Sequence, residues 1–277
     1  MSRATGVRWL ASYPKSGNTW VRAVWAAAST GVGVDINQLP GGSVPATREL
    51  LDDILGLATA DLTDAEVAAL RPLADEVVAA ETPGPSLRKV HDLFTGLSGA
   101  PIVSVTAARG VVYVVRDPRD VAVSLARFSD RPLDTIVARM ADPTARIGAT
   151  GSGRHVLQWL GTWSQHVRGW LDQDLLPVHL LRYEDAVADP VGAFGPLLRF
   201  AGLELTAAEV AAAVDRASFR VLAGQEAGHG FRERQRADAP FFRRGQAGGW
   251  RDELPPALAD QVAADHAETM SRLGYDN

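Results

Sequence analysis

The sequence predicts a single α/β domain with a central parallel β-sheet flanked by helices. Three observations carry this prediction. Apolar runs of strand length recur at residues 7–11, 111–115 and 178–181, with a further short strand candidate at 87–91. Segments of helical apolar spacing separate them, the alternation expected of a parallel sheet covered on both faces. The first run passes directly into Tyr-Pro-Lys-Ser-Gly-Asn-Thr-Trp at residues 13–20, a lysine-bearing turn that opens a helix.

Residues 7–11 read as a buried strand and residues 19–30 as the helix after the turn, punctuated by Gly31 and Gly33. Residues 35–46, rich in glycine and proline, form a loop. Helices follow at 48–57 and 64–80, the second opened by Thr63 or Asp64 as cap and stopped by Thr-Pro-Gly-Pro at 82–85. The strand at 111–115 is the strongest apolar run. Helices are expected at 118–128, where Pro118 suits the first turn, and at 154–171. The strand at 178–181 precedes helices at 191–201, 207–216 and 257–273. Residues 224–249, rich in glycine and arginine with little apolar periodicity, form either a solvated loop or a flap that orders over a bound anion. Without a repeat or a composition break, residues 1–277 make one domain.

Composition narrows the function. A chain of 277 residues, 46% hydrophobic and 22% charged, is an ordinary globular protein with a substantial core. A net charge of −5 gives no general attraction to nucleic acid or anionic membrane, so local basic groups must hold any anionic ligand. The absence of cysteine excludes disulfides, thiol catalysis and cysteine-based metal sites. His155, His166, His179, His229 and His266 show no metal-ligand spacing with carboxylates, so no metal is expected. With no signal peptide or long apolar run, a cytoplasmic protein is expected, without membrane or nucleic-acid partners.

Three segments carry chemistry. In the turn at 13–20, the N-terminus of a helix offers unpaired N–H groups to an anion, Lys15 adds a point charge, and Ser16, Asn18 and Thr19 add donors around Gly17. Trp20 offers a flat face. The lysine precedes the only glycine, so this is not the ATP-type Gly-x-x-x-x-Gly-Lys-Ser/Thr loop with its magnesium hydroxyl. The second segment is Arg-Asp-Pro-Arg-Asp-Val-Ala-Val-Ser at 116–124, whose Arg116 ends a strand at the ligand edge of an α/β sheet; pairing of Arg116 with Asp117 or Asp120 is the plainer alternative. The third is Arg-Arg-Gly-Gln-Ala-Gly-Gly-Trp at 243–250, where guanidinium forks match phosphate oxygens and glycine admits close approach.

In this order and spacing, the three segments resemble the sulfotransferases that use 3′-phosphoadenosine 5′-phosphosulfate. The first is similar to the family's Tyr-Pro-Lys-Ser-Gly-Thr-Thr-Trp loop, a P-loop-like cradle for the 5′-phosphosulfate, with Asn18 replacing a threonine. The second is similar to Arg-(Asn/Asp)-Pro-x-Asp-x-x-x-Ser, which implies Arg116 and Ser124 as 3′-phosphate ligands. The third is similar to Arg-Lys-Gly-x-x-Gly-Asp-Trp, with Arg243, Arg244 and Gly245 at its head and Gly249 in place of aspartate.

The resemblance implies roles for other residues. Arg-Lys-Val-His at 88–91 resembles a strand-end Lys-x-His whose histidine is the catalytic base, so His91 would take the acceptor's proton. Lys15 would stabilise charge on the bridging oxygen, and Lys89 would assist near the transferring group. Tyr183, in Arg-Tyr-Glu-Asp, would contact the adenine; Phe219, after Ser218, would lie on one face of the purine and Trp20 on the other. Ala217 stands where many relatives have a threonine. The implied product nucleotide is 3′-phosphoadenosine 5′-phosphate. The implied acceptor is a small-molecule hydroxyl on an antibiotic-type natural product, with a sugar or a simple phenol as alternatives. Residues 37–47, 92–109, 129–153 and 225–242 are left to shape its pocket. Arg251–Pro256 lacks the family's dimer element, so the oligomeric state stays open. An ATP-dependent kinase and a non-catalytic nucleotide-binding module are the rival readings.

Overall fold

Strand β1 (Gly6–Ser12) runs up the centre of a parallel sheet and turns into α1 (Asn18–Thr30). The fold is a computed structural model that describes residues 6–41, 47–82, 84–96, 99–148, 156–236 and 238–276. Helices α2 (Arg48–Leu55) and α3 (Asp64–Glu81) lead to β2 (Pro85–Val90), and β3 (Ala108–Val115) precedes α4 (Pro118–Ser129) and α5 (Leu133–Met140). Two-residue strands β4 (Arg146–Ile147) and β5 (Gln158–Trp159) pair antiparallel before α6 (Trp163–Leu171). Strand β6 (Val178–Arg182) then starts a run of helices: α7 (Tyr183–Ala188), α8 (Pro190–Phe200), α9 (Ala207–Arg216), α10 (Phe219–His229) and, last, α11 (Pro256–Arg272).

The main sheet has the order β2-β1-β3-β6 and every pairing in it is parallel. Alternate side chains point to opposite faces, so a strand covered on both sides must be apolar at consecutive positions. Val7, Trp9, Ala11, Val111, Tyr113 and Val115 join one core with α4, α5, α6 and α11. Leu10, Val112, Val114 and Leu181 join the opposite core with α1, α8 and α9. Each fully buried Val, Leu or Phe contributes roughly 1.5–3 kcal/mol, so the two cores hold the sheet rigid beneath its strand ends.

Several boundaries differ from the sequence expectation. The helix expected at 154–171 begins at Trp163; residues 154–155 lie outside the described set, and 158–159 belong to β5. Gly161, at φ 61, turns the chain, and Thr162 opens α6 through a reciprocal capping box with Gln165. Helices α5 and α7 arise where none was expected, and α10 takes the start of the segment expected to be irregular. The edge strand β2 begins at Pro85, a position that needs no ladder N–H, and leaves His91 just beyond its end. Among the described residues, no helix is long and apolar enough to cross a membrane.

Candidate active site

Because the four strands are parallel, their C-terminal ends open on one edge. Strand β1 delivers the loop with Lys15, β2 delivers His91, β3 delivers Arg116 and β6 delivers Tyr183. All four residues line one cavity of about 360 Å³. Five cationic side chains line it (Lys15, Lys89, Arg116, Arg243, Arg244) against two carboxylates, Asp120 and Glu233. Within a chain of net charge −5, this is a local inversion suited to an anion.

The loop after β1 bends through two left-handed residues, Lys15 at φ 72 and Gly17 at φ 111. Gly17 is required here: a Cβ would stand 2.7 Å from Cδ2 of Tyr183. Gly17 is the N-cap of α1 and supplies no side-chain cap, and no acidic residue occupies the first turn, so an anion can complete this helix end. Gly17, Asn18, Thr19 and Trp20 line the cavity, but Ser16 does not. Ser16 is fully buried and its Oγ has no hydrogen-bond partner among the described residues. The Asn18 side chain also departs from expectation: its Nδ2 donates to the Leu10 carbonyl and the Ser12 hydroxyl, both at 3.2 Å, and so ties α1 to β1 rather than pointing at a ligand.

The Lys15 ammonium is boxed by aromatic rings, its Nζ 3.7 Å from the centroid of Phe241 and 4.1 Å from that of Phe128. Burial pushes its pKa down to about 7, with nearby Arg116 and Lys89 acting in the same direction and Glu233 opposing them. Lys89 lies 3.3 Å from Glu233, and burial lowers its pKa as well. Glu233 also receives Arg22 at 2.6 Å, whose Nε donates to the Pro40 carbonyl. The sequence offered no pattern that singled out Glu233.

His91 donates from Nδ1 to the Ser12 carbonyl at 2.8 Å, which puts its proton on Nδ1 and leaves a lone pair on Nε2. Burial pushes its pKa down to about 3, with Lys89 adding to the effect, so the ring is neutral. The backbone beside it is pinned from below. Nε2 of the buried His166 donates to the His91 carbonyl at 3.1 Å, and its Nδ1 accepts from the Tyr113 hydroxyl at 2.8 Å. Trp170 donates to the Asp92 carbonyl at 2.8 Å, while Arg71 grips the Asp92 carboxylate through a fork at 2.7 and 2.9 Å. A buried fork of this kind fixes geometry, and breaking it leaves an unpaired charge.

On the other side, the Arg116 guanidinium lies 4.4 Å from the Tyr183 ring centroid and donates to the Gln246 carbonyl at 2.9 Å; its buried Nε has no hydrogen-bond partner. Ser124 lines the cavity two turns along α4. Asp120 is 3.4 Å from Arg116, but its stronger role is to accept the N–H groups of Gly248 and Trp250, both at 2.8 Å. It anchors the glycine-rich loop to α4, a function that its place in the second segment carried without declaring. Arg243 and Arg244 line the cavity and share Glu253, at 2.7 and 3.1 Å, with Arg127. Gly245, at φ 61, gives its space to the Phe219 ring, which also lines the cavity. The Trp20 ring meets Tyr183 and Phe194 edge-on.

The structure thus brings every sequence-predicted site residue except Ser16 to one cavity. Uncapped N–H groups, an unpartnered Arg116 Nε and flanking aromatic rings fit a nucleotide with two anionic ends. Among the described residues, no cluster of three or more histidines or carboxylates could hold a metal; His155 lies outside that set.

A family model described as Sulfotransferase domain matches residues 8–274. Similar curated proteins include cytosolic sulfotransferase 17 of Arabidopsis thaliana, 25% identical, the match covering 95% of this chain and 74% of that protein. Sulfotransferase 1A1 of Canis lupus familiaris is 25% identical, over 96% of this chain and 83% of that protein. Among solved structures, retinol dehydratase in complex with androsterone and the inactive cofactor PAP shares the fold at TM-score 0.62 and 20% identity, over 95% of this chain and 80% of that one. A mouse sulfotransferase complexed with PAP also has TM-score 0.62, at 19% identity, over 98% of this chain and 85% of that one.

Proposed function

The chain belongs to the sulfotransferase domain family, and on that premise we propose that it moves a sulfuryl group from 3′-phosphoadenosine 5′-phosphosulfate to a hydroxyl of a small molecule. The observation that carries this reading is the convergence of Lys15, His91 and Arg116, from three parallel strand ends, on one cavity. PAP in the complexes of the structural neighbours supports the nucleotide. The androsterone in one of them supports a small-molecule acceptor. The proposed domain spans residues 1–277, in the cytoplasm, an address supported by the names of the plant relatives.

In this reading, the uncapped N-terminus of α1, with Lys15, Gly17 and Thr19, holds the 5′-phosphosulfate; the Asn18 side chain fixes the loop. Arg116, Ser124, Arg243, Arg244 and Gly245 hold the 3′-phosphate, and Trp20, Tyr183 and Phe219 hold the adenine. The lone pair on His91 Nε2 accepts the acceptor's hydroxyl proton while its oxygen bonds to sulfur and the sulfur–phosphate oxygen bond breaks. The products are a sulfate ester and 3′-phosphoadenosine 5′-phosphate. Lys15, with Lys89 in support, stabilises the negative charge that grows on the departing oxygen. A His91 that takes its second proton only below about pH 3 in the free site is a weak base, and the nucleotide's negative charge raises it toward the working range. The finer assignment, an antibiotic-type natural product as acceptor, rests on the family resemblance of the three sequence segments.

The test is mass spectrometry of acceptor panels incubated with the chain and the phosphosulfate nucleotide, read as gain of one sulfuryl group. His91→Ala lowers turnover by roughly 10²–10⁴ fold while product-nucleotide affinity persists. Undiminished turnover in that variant removes His91 from the mechanism.

A further inference from the structure

Beside the nucleotide cavity lies a second one of about 340 Å³, and Lys15, Ser124, Phe128, Phe241 and Arg243 form a wall common to both. The rest of its lining comes from Arg127, one turn beyond Ser124 on α4, and from residues 234–236 and 238–240. Five cations line it (Lys15, Arg127, Arg234, Arg236, Arg243) against one carboxylate, Asp238.

The other carboxylates that orient these arginines do not line the cavity. Glu253, its side chain only 10% exposed, receives Arg127 at 2.5 Å and Arg243 at 2.7 Å, and Arg244 as well. One carboxylate therefore serves three guanidiniums, of which Arg244 also pairs with Asp252 at 3.4 Å. Glu226, buried, is 4.0 Å from Arg234 and gives its oxygens to the N–H groups of Phe241 and Phe242 at 2.7 and 2.8 Å. Arg236 is braced by Asp238 at 2.6 Å and by Asp130. The guanidiniums are held in place, and their charge on the cavity side is only partly compensated.

Arg127, Arg234 and Arg236 belong to none of the three segments assigned to the nucleotide. A second anion beside a polyanionic nucleotide is repelled unless further cations receive it, and guanidinium forks match carboxylate and phosphate oxygens. We propose that this cavity seats an acidic group, carboxylate or phosphate, carried by the acceptor, so that the preferred acceptor is a hydroxyl compound with an anionic arm. The inference rests on the sulfuryl-transfer reading and adds the acceptor's class to it. The wall shared with the nucleotide site runs from Ser124 and Arg243, assigned to the 3′-phosphate, to Lys15, assigned to the phosphosulfate, so an acceptor anchored here reaches the transferring group at the Lys15 end.

The test is calorimetry on the full chain, first with 3′-phosphoadenosine 5′-phosphate alone, then with three phenols titrated into the saturated complex. These are 4-hydroxyphenylacetate, 4-hydroxyphenyl phosphate and the neutral 4-hydroxyphenylacetamide; the first two distinguish carboxylate from phosphate. At least one acidic phenol is expected to bind about tenfold or more tighter than the amide. In an Arg234→Gln/Arg236→Gln variant that gap shrinks to about threefold or less, with nucleotide affinity and melting temperature unchanged. Equal binding of acidic and neutral phenols overturns the proposal, as does no binding of any of them up to about 10 mM. Loss of nucleotide affinity in the variant also overturns it, because the cavity then belongs to the nucleotide. Failure of the wild-type chain to bind the nucleotide in the first titration strikes instead at the sulfuryl-transfer reading, and this proposal falls with it.

Discussion

Binding of the product nucleotide is expected to draw a proton from solution through Lys15. In the free site, burial among Phe128, Phe241 and the loop lowers this ammonium to about 7. At pH 8 about nine-tenths of the molecules then carry a neutral amine. A phosphate beside the amine favours its charged form. Phosphate monoesters have a second pKa of about 6, so at pH 8 the nucleotide is already fully ionised and contributes no proton change of its own. Lys15 therefore takes up about 0.9 proton on binding at pH 8 and about 0.5 at pH 7. Lys89, also lowered by burial, acts in the same direction. The sign follows: the free site resists the charge, so affinity falls as pH rises above 7, by about tenfold per unit until the bound-state pKa is passed. Calorimetry in HEPES and in Tris at pH 8 yields the proton count from the difference in heats. Lys15→Met is expected to remove about 0.9 of it and flatten the pH dependence. A wild-type uptake of zero at pH 8, or one that survives in Lys15→Met, refutes the argument that Lys15 is a buried amine charged by the nucleotide.

Two further substitutions probe the supporting geometry. Asp120→Ala removes the acceptor of the Gly248 and Trp250 N–H groups, so nucleotide affinity should fall by about 10–100 fold, with faster proteolysis within 243–249; unchanged affinity would show that the loop needs no anchor. Gly17→Ala forces a Cβ toward Tyr183 at a left-handed φ and should cost roughly 1–3 kcal/mol in urea unfolding, a cost whose absence would contradict the required glycine.

The sheet was legible because its strands are covered on both faces: residues 111–115 are apolar at every position and four of the five are β-branched valines, which favour a strand. The phosphate-end residues were legible because a turn, a lysine and a glycine leave a local signature. What escaped lies in segments whose shape is set by partners far along the chain. Helix α10 contains Gly224 and Gly228, which weaken helical propensity, yet Leu222 is buried and Glu226 caps the Phe241–Phe242 turn. The apolar residues Val156, Leu157 and Leu160 extend the spacing of α6 backwards, while Gly161 and the Thr162 capping box end it. Glu233 becomes part of the site only through Arg22 and Lys89, which are 211 and 144 residues away in sequence. No local pattern encodes such a meeting.

The strand order has a consequence for how such an enzyme diversifies. Strand β2, whose end carries Lys89 and His91, forms one edge of the sheet, whereas β3 and β6 carry Arg116 and Tyr183 on the opposite side of β1. With the roles proposed above, the proton acceptor His91 and the adenine contact Tyr183 stand on opposite sides of β1, and the two substrates meet over Lys15 and the wall of Ser124, Phe128, Phe241 and Arg243. Segments grafted outside β2, or exchanged at residues 234–236 and 238–240, which line the second cavity and not the first, can retune the acceptor without disturbing the nucleotide. A library confined to those positions would keep the donor constant and vary a single half of the reaction.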